Sequence, residues 1–96
     1  MIKNDYVAVW LTDSYARLFL GLQKAQKESR WVAAGMFQED EAHGFWFAIE
    51  RFEERRGNKI VRYTVSPQTC LLLWEGIITM QHIKKGAAPE IGIKAS

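Results

Sequence analysis

The alternation of apolar and polar positions divides the chain into four segments typical of strands and two typical of helices. Residues 6–11 and 31–38 are mostly apolar and rich in β-formers, which predicts two buried strands. Residues 45–52 and 60–65 predict two more. Strict alternation along the first of these would put Phe45, Phe47, Ile49 and Arg51 on one face, and Trp46, Ala48, Glu50 and Phe52 on the other. A charged turn closed by Gly57 and Asn58 joins this pair into a hairpin.

Residues 13–29 allow two interpretations. Thr12 or Asp13 is a good helix cap, and apolar residues follow at helical spacing: Tyr15, Leu18, Phe19, Leu22 and Ala25. Residues 17–22 could instead form a strand, and Gly21 costs a helix interior about 1 kcal/mol. We favour the helix on the strength of the periodicity.

Residues 66–83 predict a second, strongly apolar helix. Ser66 is a good N-cap and Pro67 a good first helical residue. The apolar positions cover more than half of the helix circumference, so more than one surface must cover them. In a chain of 96 residues the second surface can be another subunit. We therefore predict a homodimer interface made of Leu73, Trp74, Ile77 and Met80.

These segments predict the α+β class, with an antiparallel sheet of about four strands and two helices packed on it. One domain would span residues 1–86. Residues 87–96 follow a Lys-Lys-Gly turn and would form a loose tail or an arm that reaches a neighbour.

Composition fits an ordinary globular domain. The chain is 48% hydrophobic and 25% charged, with a net charge of +2. A single cysteine, Cys70, excludes an intramolecular disulfide and favours a reducing compartment. No apolar run approaches the roughly 20 residues that span a bilayer, and no signal peptide is visible. We therefore expect a cytoplasmic protein with no membrane association.

No pattern of catalytic or metal-ligating residues stands out. His43, Cys70 and His82 lack ligand spacing, and the glycines stand singly, so we expect no metal, no cofactor and no enzymatic activity. Glu50, Glu53 and Glu54 alternate with arginines, which is typical of a solvated hairpin end with exposed ion pairs. A small-ligand pocket under residues 33–35 is conceivable, but no constellation supports it.

Basic and aromatic residues cluster on the predicted hairpin. The candidate nucleic-acid ligands are Arg51, Arg55, Arg56, Lys59, Arg62, Tyr63 and Trp46. Cations that follow phosphates and rings that stack on bases are the means by which proteins hold single strands. In the alternative interpretation the rings belong to the core and the arginines cover them with their stems.

The stretch from 45 to 83 resembles the Whirly and positive-cofactor-four type of single-stranded DNA-binding domain. The resemblance lies in the strand 45–52 and in Tyr63-Thr64-Val65-Ser66-Pro67, which leads through a Ser-Pro cap into an apolar helix. It covers about two fifths of the chain and is one of pattern. It implies that Arg51, Arg62 and Tyr63 meet nucleic acid and that Leu73, Ile77 and Met80 meet a partner helix. A helix at residues 13–29 departs from that family's strand order.

The sequence thus predicts a small non-enzymatic domain that binds single-stranded DNA or RNA through a basic-aromatic hairpin. The alternative is a homo-oligomeric protein-interaction module with no nucleic-acid role.

Overall fold

Six strands, one short helix and one 3-10 turn make up the part of the chain that the computed structural model describes, residues 1–20 and 29–85. In chain order the elements are β1 (Tyr6–Leu11), α1 (Asp13–Leu20), β2 (Arg30–Glu41), β3 (Gly44–Arg56), β4 (Lys59–Tyr63), β5 (Gln68–Leu73), the 3-10 turn η1 (Trp74–Gly76) and β6 (Ile77–His82).

All the strands belong to one antiparallel sheet. Its order is β4-β3-β2-β1-β6, and β5 pairs with the first half of β3. Strands β5 and β6 therefore lie at opposite edges of the sheet, yet only η1 separates them along the chain. Because three residues bridge the two edges, the sheet must curl until those edges meet, as in a small barrel.

The strands predicted from β-formers are confirmed, and so is the turn between β3 and β4. Gly57 has a φ of +58°, a conformation that glycine adopts without a steric penalty. The helix is confirmed as far as Leu20, residues 21–28 lie outside the described residues, and Ser29 is not helical. Thr12 caps α1, since the Tyr15 N–H donates to Thr12 Oγ1 at 3.3 Å.

The predicted second helix is wrong, and with it the α+β class. Residues 68–82 form β5, η1 and β6, so the fold is mostly antiparallel sheet. One edge of β1 and one edge of β3 would have had unpaired backbone groups if this segment were helical. Pairing them with β6 and β5 satisfies those groups, and the strand-compatible residues Thr69, Ile77 and Ile78 permit it.

A bulge in β3 overturns the strict alternation that the sequence predicts. Arg51 pairs with Ala34 and Ile49 with Gly35, so Glu50 is an extra residue in β3. The bulge reverses the alternation beyond it. Phe52 therefore joins Phe47 and Ile49 in the core, and Arg51 moves to the opposite face.

The core lies inside the curl of the sheet. It is dominated by buried aromatic and branched side chains: Val7, Val9, Leu11, Trp31, Phe37, Phe45, Phe47, Ile49, Phe52 and Leu72. We call this the inner face. On the outer face a smaller buried group, Ala8, Trp10 and Val32, packs against Ile83. Within the described residues, no helix is both long and apolar enough to cross a membrane.

Gly76 makes the sharp turn between β5 and β6 possible, and its replacement should be costly. A Cβ at this position would lie 2.2 Å from Cγ of Tyr15. The Tyr15 ring cannot easily move, because its hydroxyl accepts a hydrogen bond from the Leu73 N–H at 3.1 Å. We expect Gly76→Ala to lower the free energy of unfolding by about 2 kcal/mol, as overpacking does. Urea denaturation measures this change.

Gly57→Ala, where nothing lies within 4 Å but φ is positive, tests backbone strain alone. Equal stability of Gly76→Ala and the natural protein would contradict the packing described for Tyr15.

Candidate nucleic-acid interface

Four arginines share the outer face where β2, β3 and β4 lie side by side. The pairing register places Arg30 beside Arg55, and Ala34 beside Arg51. In the next row Glu53 lies between Val32 and Arg62. We call Arg30, Arg51, Arg55, Arg62 and Glu53 the arginine surface. Four guanidinium groups against one carboxylate leave three positive charges in excess on it.

Glu53 holds two of these arginines in place. Its Oε1 accepts from Arg55 Nη2 at 3.3 Å and its Oε2 accepts from Arg62 Nε at 3.2 Å. The carboxylate is only 3% exposed, whereas the Arg62 side chain is 76% exposed. The guanidinium carbon of Arg55 also lies 5.5 Å from the centre of the Trp10 ring. Glu53 therefore orients the cations without covering Arg62.

The other two arginines of the surface differ in their surroundings. Arg51 is half-buried and hydrogen-bonds the Tyr6 side chain. Burial raises the pKa of the Tyr6 hydroxyl, and the bond to Arg51 opposes that rise. Arg30 is exposed and has no ion pair within residues 1–20 and 29–85. Arg30 and Arg62 are thus the two members most open to a ligand.

A notch opens beside this surface, where β3 passes from β4 to β5. The chain leaves β3 between Tyr63 and Gln68, and the concavity left behind has a volume of about 240 Å³. It is lined by Glu50, Arg51, Phe52, Glu53, Arg62, Tyr63, Thr64 and Val65. The notch thus brings two arginines and two carboxylates together above the core rings of Phe52 and Tyr63.

Glu54 and Arg56 lie on the inner side of the hairpin and form a separate network. Glu54 is fully buried and accepts hydrogen bonds from three side chains. Arg56 donates to it twice at 3.0 Å, Tyr63 donates at 2.9 Å, and Ser29 donates through its hydroxyl. The predicted ion pairs of Glu53 and Glu54 are present, but the prediction that these carboxylates are exposed is wrong.

This network determines the protonation of its members. Burial alone would raise the pKa of the Glu54 carboxyl. The hydrogen bonds from Arg56, Ser29 and Tyr63 outweigh burial and hold that pKa below its usual value. Burial and the neighbouring Glu54 raise the pKa of Tyr63. Arg56 is therefore engaged by a buried anion, although its side chain is still 45% exposed.

The structure separates the predicted aromatic ligands from the arginines. Tyr63 packs into the core, with its ring centre 5.8 Å from that of Trp31 and 6.4 Å from that of Phe52. Trp46 is exposed, but it lies on the part of β3 that pairs with β5, beyond the bulge. Lys59 is exposed at the turn between β3 and β4. Of the seven predicted ligands, Arg51, Arg55 and Arg62 therefore come together on one face.

Sequence reasoning did not single out Arg30. It stands alone at the start of β2, outside the charge cluster of the hairpin. Its position across from Arg55 depends on the pairing of β2 with β3. A register counted back from the turn at Ala42 and His43 places Arg30 opposite Arg55, because the bulge at Glu50 in β3 is offset by a second bulge at Gln38 in β2.

The residues predicted to form a dimer interface do not form one stripe. Ile77 and Met80 pack against the core of their own chain. Leu73 is half-buried at the end of β5, and Trp74 is 44% exposed in η1. The helix on which the interface was predicted is absent from these residues, and the homodimer itself stays a prediction.

Searches against protein-family models, curated proteins and solved structures found no match to this chain.

Proposed function

We propose that the domain binds single-stranded nucleic acid, without catalysing a reaction, through the arginine surface and the adjoining notch. The observation that carries the proposal is the excess of cations on one sheet face, where four arginines surround one carboxylate. Guanidinium groups donate to phosphate oxygens in a fixed fork geometry, so a row of them can follow a sugar-phosphate backbone.

The notch favours a single strand over a duplex. An unpaired base can turn away from its backbone and enter a concavity, whereas a base in a duplex cannot do so without first unpairing. Arg51 and Arg62 line the notch together with Glu50 and Glu53, and the rings of Phe52 and Tyr63 pack beneath it in the core. A strand whose phosphates contact Arg30 and Arg62 could therefore place one base there.

Orientation of the arginines supports the proposal as well. Arg55 is braced by both Glu53 and the Trp10 ring, so binding needs little further ordering of that side chain. Glu53 lowers the net charge of the surface but leaves most of the Arg62 side chain in solvent.

Single alanine variants test the proposal. We expect Arg30→Ala and Arg62→Ala each to weaken binding of a labelled single-stranded oligonucleotide about tenfold at 0.1 M salt, since each removes one phosphate contact. Each variant should also lower the slope of log affinity against log salt by about one. Fluorescence anisotropy at several salt concentrations measures both quantities.

Lys3→Ala is the matched control, because Lys3 is an exposed cation near the opposite end of β2. It should leave the affinity within about twofold, since it makes no contact with the proposed strand path. If all three variants weakened binding equally, attraction would come from overall charge and the arginine surface would not be the site.

A further inference from the structure

A second concave surface lies around η1, away from the arginine surface. One concavity of about 490 Å³ is lined by Ala42, His43, Leu73, Trp74 and Glu75. A smaller one of about 280 Å³ is lined by Thr12, Ser14, Tyr15, Leu18, Glu75 and Gly76. Glu75 belongs to both, so the two concavities adjoin. We call them together the η1 groove.

The groove is held rigidly by the rest of the fold. The Trp74 N–H donates to the His43 carbonyl at 2.9 Å, which fixes η1 to the turn between β2 and β3. The Trp74 ring packs against Phe45, with the ring centres 5.1 Å apart. The Tyr15 hydroxyl accepts from the Leu73 N–H, which fixes α1 to the end of β5. A ligand would therefore meet a surface that needs little ordering.

Large apolar side chains remain exposed in this groove. Trp74 is 44% exposed and Leu18 is 78% exposed, one in each concavity. Exposed aromatic and branched side chains in a concave setting are typical of binding anchors. Each concavity can take one apolar side chain of a ligand, with Glu75 between them.

The charge at this end of the molecule is negative. Glu39, Asp40 and Glu41 are exposed at the end of β2, next to the turn that lines the groove. Glu41 pairs with Gly44, and Gly44 pairs with Leu73, so about 10 Å separates Glu41 from the groove. Within residues 1–20 and 29–85, neither these three carboxylates nor Glu75 forms an ion pair. Such a surface repels phosphates and attracts cations.

We infer that the η1 groove binds a basic, extended peptide segment of a protein partner. Two apolar side chains of the segment would fill the concavities beside Trp74 and Leu18. Its Lys or Arg side chains would meet Glu75 and the acidic end of β2. Because this groove and the arginine surface involve different residues, one domain could hold a protein and a nucleic acid together.

Two synthetic peptides test this inference. One is a labelled twelve-residue peptide in which pairs of leucines alternate with pairs of arginines, so that each face of the extended chain carries both residue types, and the other has glutamate in place of arginine. We expect the basic peptide to bind with a dissociation constant in the micromolar range and the acidic peptide not to bind. Trp74→Ala should weaken binding at least tenfold, as expected for an aromatic anchor, and Glu75→Lys should weaken it as well.

Further variants keep the test independent of folding. Trp74 contacts the core residue Phe45, whereas Leu18 is exposed, so Leu18→Ala should weaken peptide binding about threefold with no loss of stability. Ile60→Ala removes an exposed apolar side chain near the arginine surface and should leave peptide binding unchanged.

Equal binding of both peptides, or unchanged binding by Trp74→Ala and Leu18→Ala, would overturn the inference. The inference would also be overturned if sedimentation showed that the natural chain self-associates and that Trp74→Ala is monomeric. The occupant of the groove would then be a second copy of the chain.

Discussion

Replacing Glu54 with alanine should lower the free energy of unfolding by about 3 kcal/mol, the largest loss that we expect from a single charged residue here. The carboxylate is fully buried and accepts from Ser29, Arg56 and Tyr63. Its removal leaves the Ser29 and Tyr63 hydroxyls without their acceptor and creates a cavity. Arg56, which is partly exposed, can turn to water and so limits the loss. Chemical denaturation of the natural protein and the variant measures the difference.

Two controls separate the parts of this loss. Tyr63→Phe removes one hydrogen bond to Glu54 and should cost about 1 kcal/mol. Lys59→Ala, an exposed change at the neighbouring turn, should cost less than about 0.5 kcal/mol. A cost for Glu54→Ala no larger than that for Lys59→Ala would contradict the burial of this carboxylate.

The same network predicts how stability depends on pH. The pKa of Glu54 is lowered in the folded protein relative to the unfolded chain, so folding favours the ionised form. This contribution is fully present above the unfolded pKa and is lost as the pH falls through the folded pKa. Denaturation between pH 7 and pH 3 should therefore show a smaller acid loss in Glu54→Gln than in the natural protein. Identical pH profiles would show that the carboxylate is not stabilised in its ionised form.

Reversing two charges on the arginine surface should abolish binding of single-stranded nucleic acid. Changing Arg30 and Arg62 together to glutamate turns an excess of three positive charges into an excess of one negative charge. Each lost phosphate contact lowers the affinity about tenfold at 0.1 M salt, so the affinity of the double variant should fall by more than about a hundredfold. Both side chains are exposed, but Arg62→Glu places a second carboxylate beside the buried Glu53, so chemical denaturation must first show that the double variant is folded.

The matched control reverses two cations of the chain outside this surface. Lys3 lies before β1, near Phe37, and Arg17 lies in α1, outside the sheet. Because Arg17→Glu breaks an ion pair with Asp13 at 2.9 Å, chemical denaturation must show that this control is also folded. Lys3→Glu with Arg17→Glu changes the net charge by the same amount. Anisotropy should show a much smaller loss for this control than for Arg30→Glu with Arg62→Glu. Equal losses would mean that net charge, and not the arginine surface, governs binding.

Local sequence patterns predicted the first five elements but not the last three. Strands β1 to β4 and the start of α1 follow from β-formers, turn residues and a cap, all of which act over short distances. The apolar positions of residues 68–82 fit the spacing of a helix as well as that of a strand, because every residue from 70 to 74 is apolar. Such a run does not distinguish a buried strand from a helix. The strands form because the backbone groups at the edges of β1 and β3 require pairing, which β6 and β5 provide. This pairing involves residues far away in the chain.

The candidate site was predictable in its residue types but not in its geometry. The cluster of arginines between 51 and 62 is visible in the sequence, and three of them share a face. The bulge at Glu50 decides which side chains point inward, and it placed Phe52 and Glu54 inside. One extra residue in a strand reverses every side chain beyond it, and no pattern in the sequence marks that position. Arg30 entered the site only through the register between β2 and β3.

The most direct test of the proposed function is fluorescence anisotropy of a labelled single-stranded oligonucleotide, titrated with the natural protein at 50 mM and 200 mM salt. A duplex of the same length should be measured in parallel. We predict that the single strand binds more tightly than the duplex, and that its affinity falls steeply between the two salt concentrations, as expected when arginines displace counterions from phosphates. Absence of binding at 50 mM salt, or an affinity that does not change with salt, would contradict the account.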